Sequence, residues 1–144
     1  MPDQLILLVE DNPDDELLTL RALKKANVAN KVEVVRDGAA ALDFLFASGI
    51  YSGRDVNDTP QLILLDLKLP KISGLKVLER VRADERTKRV PVVILTSSTE
   101  PIDINSGYDL HANSFVSKPV NFQEFSDVVQ RLGCYWLLVN RQVP

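Results

Sequence analysis

The sequence predicts an α/β fold in which a parallel five-stranded sheet lies between two layers of helices. Two observations carry this. Short, unbroken apolar runs recur along the chain, each stopping at polar residues, which is the pattern of strands buried on both faces. Between them lie stretches whose apolar residues return at helical spacing, so strands and helices alternate.

The elements follow in chain order. Leu5-Ile6-Leu7-Leu8-Val9 is the first run and stops at Glu10-Asp11. Asn12-Pro13-Asp14-Asp15-Glu16 then opens a helix, because proline suits the first turn and acids there favour the helix dipole. Leu17, Leu20, Ala22 and Leu23 carry that helix to Ala26, and residues 27–30 read as a loop. Val32, Val34 and Val35 mark a second strand, closed by Asp37-Gly38. Residues 39–46 read as a helix with Leu42, Leu45 and Phe46 on one face. Residues 48–60 are the one long polar, glycine-bearing stretch. Leu62-Ile63-Leu64-Leu65 is the third strand, ending at Asp66, and Ser73-Gly74 opens a helix carrying Leu75, Leu78 and Val81. The fourth strand covers residues 90–95 and ends at Thr96, with Pro91 near its start, where a missing N–H does least harm. A weaker helix follows over 100–110, with Ile102, Ile104 and Tyr108. Phe115 and Val116 form a short fifth strand before Lys118-Pro119. Phe122, Phe125, Val129, Leu132 and Trp136, at spacings of 3, 4, 3 and 4, are the stripe of a last helix.

Composition bounds the function classes. A chain of 144 residues with 45% hydrophobic content suits one core, so residues 1–144 are expected to form a single domain without a separate output module. Seventeen basic and 20 acidic residues give a net charge of −3, without the basic excess of a nucleic-acid surface. No apolar run approaches the roughly 18 residues of a membrane span, and the start has no basic n-region. One cysteine, Cys134, excludes an internal disulfide and points to a reducing, cytoplasmic setting. Cys134 and the single histidine, His111, show no partner in the sequence and are assigned no chemistry.

In open α/β sheets the site lies outside the carboxyl ends of the strands. Those ends carry Glu10-Asp11, Asp66, Thr96 and Lys118. Taken singly, each has an ordinary structural reading: a strand stop and cap, a turn residue, a β-favouring residue, a solvated charge. Together they are three carboxylates, a hydroxyl and an ammonium in one place. Crowded carboxylates call for a hard divalent cation with oxygen ligands, and Mg2+ commonly takes one or two carboxylates plus waters and phosphate. A phosphoryl group fits such a site, and aspartate is a known covalent acceptor of one. A nucleotide or flavin site would want a glycine-rich turn after the first strand, where this chain has Glu10-Asp11-Asn12-Pro13-Asp14-Asp15.

These pieces resemble the bacterial response-regulator receiver domain. The resemblance rests on Leu7-Leu8-Val9-Glu10-Asp11, Leu64-Leu65-Asp66-Leu67-Lys68-Leu69-Pro70, Gly74, Val93-Ile94-Leu95-Thr96-Ser97 and Phe115-Val116-Ser117-Lys118-Pro119, and covers residues 4–132. It implies a flavodoxin-like three-layer sandwich with strand order 2-1-3-4-5. It also implies a single-domain response regulator of a two-component phosphorelay. Asp66 then matches the phosphoacceptor, Glu10 and Asp11 the acidic Mg2+ pair, and the backbone carbonyl of Lys68 a further metal ligand. Thr96 matches the switch hydroxyl, Phe115 the switch aromatic and Lys118 the phosphate-pairing lysine, and the family's cis bond falls at Lys118-Pro119. Such a protein is no turnover enzyme but assists its own phosphorylation and dephosphorylation. The rivals are a phosphorylation-independent docking receiver and, further off, a flavodoxin-like cofactor-binding protein.

The segment 103–115, the loop before the third strand and Tyr135-Trp136 resemble a narrower group, stand-alone receivers paired with phytochrome-type, light-sensing histidine kinases. The resemblance thus implies a cognate histidine kinase as partner and a downstream target the sequence does not name. Two departures stand out. Phe115 lacks a phenolic hydroxyl, and Lys68 stands where the family often has Asn; its ammonium either reaches the phosphoryl group and alters its lifetime or points into solvent. The apolar excess of the last helix and of the extension 133–144 leads us to expect a homodimer. Its interface is expected to use the fourth helix, fifth strand, last helix and tail, with Tyr108, Phe115, Tyr135, Trp136 and Leu138.

Overall fold

The structure is a computed structural model and describes residues 5–26 and 30–140. The chain starts with β1 (Leu5–Val9), α1 (Pro13–Lys25), β2 (Lys31–Val35), α2 (Gly38–Leu45) and a short 3-10 turn at Gly49–Tyr51. It continues with β3 (Leu62–Leu65), α3 (Gly74–Ala83), β4 (Val92–Thr96), α4 (Pro101–Asp109), β5 (Ser114–Ser117) and α5 (Phe122–Cys134), closing with a π-helical turn at Tyr135–Val139. The strands form one parallel sheet, as the sequence pattern predicts, in the order β2-β1-β3-β4-β5, as the resemblance implies.

Alternation along the buried strands divides the core in two. Leu5, Leu7, Val9, Ile63, Leu65, Val92 and Ile94 pack with Phe44 and Leu45 of α2 and with Val77, Leu78 and Val81 of α3. Ile6, Leu8, Leu62, Leu64, Val93 and Leu95 pack on the other face with Ala22 and Leu23 of α1 and Phe125 and Val129 of α5. Side-chain caps start four of the helices. Asn12 accepts from the N–H groups of Asp14 and Asp15, Asp37 from Ala40, Ser73 from Lys76, and Asn121 from Gln123 and Glu124. No helix among the described residues is long and apolar enough to cross a membrane.

The differences from the sequence reading are local. β4 starts after Pro91, whose carbonyl accepts the Ile63 N–H at 2.9 Å. Leu17 and Phe122, read as members of apolar stripes, are exposed. Every peptide bond among the described residues is trans, Lys118–Pro119 included, so the expected cis bond is not found; trans is the form an X–Pro bond favours without a constraint holding it cis. The loop at 48–60 is tied down by Arg54, which lies 3.8 Å over the Phe44 ring and donates to the carbonyls of Phe44 and Asp58. The loop read at 27–30 falls outside the described residues apart from Asn30, and the C-terminal extension is described as far as Asn140.

Candidate functional site

Strand register brings the site together. Val9 lies level with Leu65 in the paired strands β1 and β3, so Glu10 and Asp66 leave the sheet side by side. Thr96 lies level with Ser117 across β4 and β5, which delivers Lys118 to the same edge. Asp66 is also held from behind. A Cβ on Gly74 would stand 2.1 Å from the Asp66 carbonyl oxygen, so only glycine lets α3 start this close to the β3 end.

Glu10, Asp11 and Asp66 each offer a carboxylate oxygen, and these oxygens lie within 4.8 Å of one another. Asp11 is exposed, whereas Glu10 and Asp66 are buried. The Lys118 ammonium, 7% exposed at its side chain, contacts Glu10 Oε1 at 2.5 Å, Asp15 Oδ2 at 2.8 Å and Asp66 Oδ2 at 3.1 Å. Asp66 Oδ1 accepts the N–H groups of Leu67 at 2.7 Å and Lys68 at 3.4 Å. Glu10 Oε2 accepts the Asn12 N–H at 3.3 Å. Thr96 is completely buried, and its hydroxyl accepts the Ser98 N–H at 3.3 Å.

The electrostatics follow from burial and from that one ammonium. Burial pushes the Glu10 carboxyl up, Lys118 offsets only part of the shift, and the group ends at about 7. Burial disfavours the Asp66 anion too. There the Lys118 charge and hydrogen bonds from Glu10, Lys118 and Thr96 outweigh it, holding Asp66 below the usual carboxylate range. Burial also opposes the Lys118 cation, but its bonds to Asp15 and Glu10 raise it above an ordinary lysine. Glu10 and Asp66 thus behave as a coupled pair in which Glu10 keeps the proton longer.

The structure therefore gathers Glu10, Asp11, Asp66, Thr96 and Lys118 at one edge. Lys68 is exposed. Asp15 arrives unannounced as a third carboxylate partner of Lys118, since in the sequence it reads only as a first-turn acid. The expected interface residues lie apart from the acids. Phe115 is half-buried against the α2–α3 core, and its N–H donates to the Tyr108 hydroxyl at 3.2 Å. Tyr108 and Tyr135 are half exposed, and Tyr135 stacks edge-on against Trp136 at 5.1 Å. Trp136 packs onto the α1–α5 core and Leu137 is buried, so part of the apolar tail is used within the fold. The Leu138 side chain lies outside the described residues.

A sheet of this order with three acids, a buried hydroxyl and an ammonium at the strand ends is the architecture of a phosphorylation-controlled α/β domain. Residues 6–130 match the response regulator receiver domain, and the chain belongs to that family. It is thus the receiver domain of a two-component response regulator, with the flavodoxin-like fold expected of it. Among its relatives, the probable methanogenesis regulatory protein FilR2 of Methanothrix harundinacea is 39% identical over 137 residues, covering 95% of this chain and 86% of the relative. The response regulator Rcp1 of Synechocystis is 38% identical, covering 94% of this chain and 90% of its own. The crystal structure of Mn2+-bound Rcp1 matches with a TM-score of 0.91 at 36% identity, over 98% of this chain and 99% of that one. The phosphorylated cyanobacterial phytochrome response regulator RcpA matches with a TM-score of 0.92 at 37% identity, over 99% of each chain.

Proposed function

We propose that Asp66 accepts the phosphoryl group of a histidine-kinase phosphohistidine, and that Glu10, Asp11 and Asp66 hold Mg2+ while it does so. The observation that carries this is the Lys118 ammonium 3.1 Å from Asp66, whose carboxylate also belongs to a cluster of three. The donor set fits the cation: all-oxygen, partly open to water through Asp11, and anionic enough to need a charge beyond Lys118. The backbone carbonyl of Lys68 supplies a further ligand in this reading. When bound, Mg2+ supplies positive charge toward the transferring phosphoryl oxygens.

The chain's own residues do the rest. An Asp66 carboxylate oxygen forms the new O–P bond as the N–P bond of the phosphohistidine breaks, and the leaving imidazole takes up a proton. The low pKa of Asp66 keeps that oxygen ionised at neutral pH. Lys118 turns its N–H donors from Asp66 to the phosphoryl oxygens, and Thr96, fixed at the end of β4, offers its hydroxyl to the same group. Thr96 moving inward leaves space that the Phe115 ring follows, so the phosphorylated state differs in packing on the α4–β5 side. Water attack on the acyl phosphate resets the site, so the protein acts as a self-assisting phosphoacceptor rather than a turnover enzyme.

The likeness to RcpA supports a phytochrome-type kinase as the phosphodonor. A homodimer through α4, β5, α5 and the tail is the further part of the reading. A groove of about 280 Å³ between β5 and α5, lined by Ser114, Val128, Arg131, Leu132, Tyr135 and Trp136, supports it. The test is phosphotransfer from radiolabelled kinases, phytochromes among them. Wild-type protein should take up label only with a divalent cation, and Asp66→Asn should take up none. Label retained by Asp66→Asn would overturn the assignment.

A further inference from the structure

We propose that Asp15 is a positioning residue for Lys118: its carboxylate draws the ammonium aside from Asp66 and so leaves the Glu10–Asp11–Asp66 carboxylates open to a divalent cation. An ammonium has three donors and no acceptor. Here all three meet carboxylates, and the contact to Asp15, at 2.8 Å, is shorter than that to Asp66, at 3.1 Å. The other two acceptors, Glu10 and Asp66, belong to the cation cluster, whereas Asp15 does not. Lys118 and a cation therefore compete for the same two carboxylates, and Asp15 is the one Lys118 partner outside that cluster.

The fold places Asp15 for this. It is the third residue of α1, its N–H is held by Asn12 Oδ1 at 3.1 Å, and its carbonyl accepts the hydroxyl of the fully buried Thr19 at 2.7 Å. Its side chain is 24% exposed, so the carboxylate borders the site rather than filling it. Without its charge, the third ammonium N–H has only Glu10 and Asp66 to turn to, and the cation meets carboxylates that Lys118 holds more closely.

The inference rests on the reading of Glu10, Asp11 and Asp66 as the cation site, and the experiment separates the two. Mg2+ is titrated into the full chain at pH 8 by calorimetry, with the Lys118 ammonium followed by 15N NMR. If the wild-type protein takes up no Mg2+, the cation-site reading falls, and this inference with it. If the wild type binds, Asp15→Asn should weaken binding by about threefold or more, the lower range for groups that share one network. It should also shift the Lys118 signal. Asp15→Glu, which keeps the charge, should restore both. In a Lys118→Met background Asp15→Asn should make no difference, because the residue through which it acts is gone. An unchanged Mg2+ affinity in Asp15→Asn would overturn the inference. So would a loss of equal size in the Lys118→Met background, since Asp15 would then act by its field alone. Should Lys118→Met not fold, the ammonium signal decides: a loss of affinity with Lys118 unmoved overturns the inference.

Discussion

Replacing Lys118 by methionine, which keeps most of the volume and removes the charge, is the most direct probe of how this site is held together. The ammonium is 7% exposed, with the Glu10 side chain at 3% and Asp66 at 9%, so the contacts lie in a largely water-excluded setting. Removing one partner of such a cluster costs about 3–5 kcal/mol, because the remaining charges stay buried without compensation. That is a large part of the roughly 5–15 kcal/mol that holds a domain folded. The pH dependence supplies the sharper test. In the wild type the Asp66 pKa is depressed, so its contribution is present above the ordinary carboxylate value and disappears as pH falls through the folded one. In the variant Glu10 and Asp66 both rise and are protonated under mildly acidic conditions. The deficit should therefore be full at pH 8 and clearly smaller at pH 5. Urea denaturation, with slopes of about 1–3 kcal/mol per molar, resolves such differences readily. A deficit of the same size at both pH values would mean that Lys118 acts through packing, and the electrostatic account would fail.

Two other outcomes are expected. Glu10 keeps a proton up to about pH 7, so Mg2+ affinity should fall about tenfold per pH unit below that point and level off above it; affinity independent of pH from 5.5 to 8 in calorimetric titrations would contradict this. Gly74→Ala should destabilise by about 1–3 kcal/mol, because the new Cβ meets the backbone of Asp66 and Leu67, although alanine is otherwise the better helix former. A thermal melt at or above the wild-type midpoint would show that this close approach is not needed.

The sheet was legible because its strands are buried on both faces. An unbroken run such as Leu62-Ile63-Leu64-Leu65 has little other use in a chain this short. The acids and Lys118 were legible through their place at strand ends, where topology, rather than the residues themselves, makes them converge. Asp15 was not, because an acid in a first helical turn has its own local justification and nothing in the spacing points it at a lysine 103 residues away. The fate of the tail was equally hidden. Periodicity shows that Trp136 and Leu137 are apolar, but whether they face a partner or their own core depends on the π-helical turn at Tyr135–Val139. Arg82 is a third case. No motif in the sequence singles it out, yet it donates to the carbonyls of His111, Lys88 and Val90 and to Asn113, stapling two loops at the opposite end of the sheet from the acids.

α4 is attached differently from the other helices. Of its residues, Gly107 alone is buried, and it has no side chain; a Cβ there would come within 2.9 Å of Ile94 and 3.1 Å of Phe115. The helix thus meets the sheet through the Gly107 backbone and the Tyr108 hydroxyl, which accepts the Phe115 N–H, while Ile102 is exposed. Apolar burial is the main adhesive between layers, and here there is little of it. Re-seating α4 would therefore give up less buried apolar surface than moving α3 or α5, whose buried side chains belong to the core. In the proposed reading, phosphorylation of Asp66 needs to supply only that difference to become visible on the outside of the molecule.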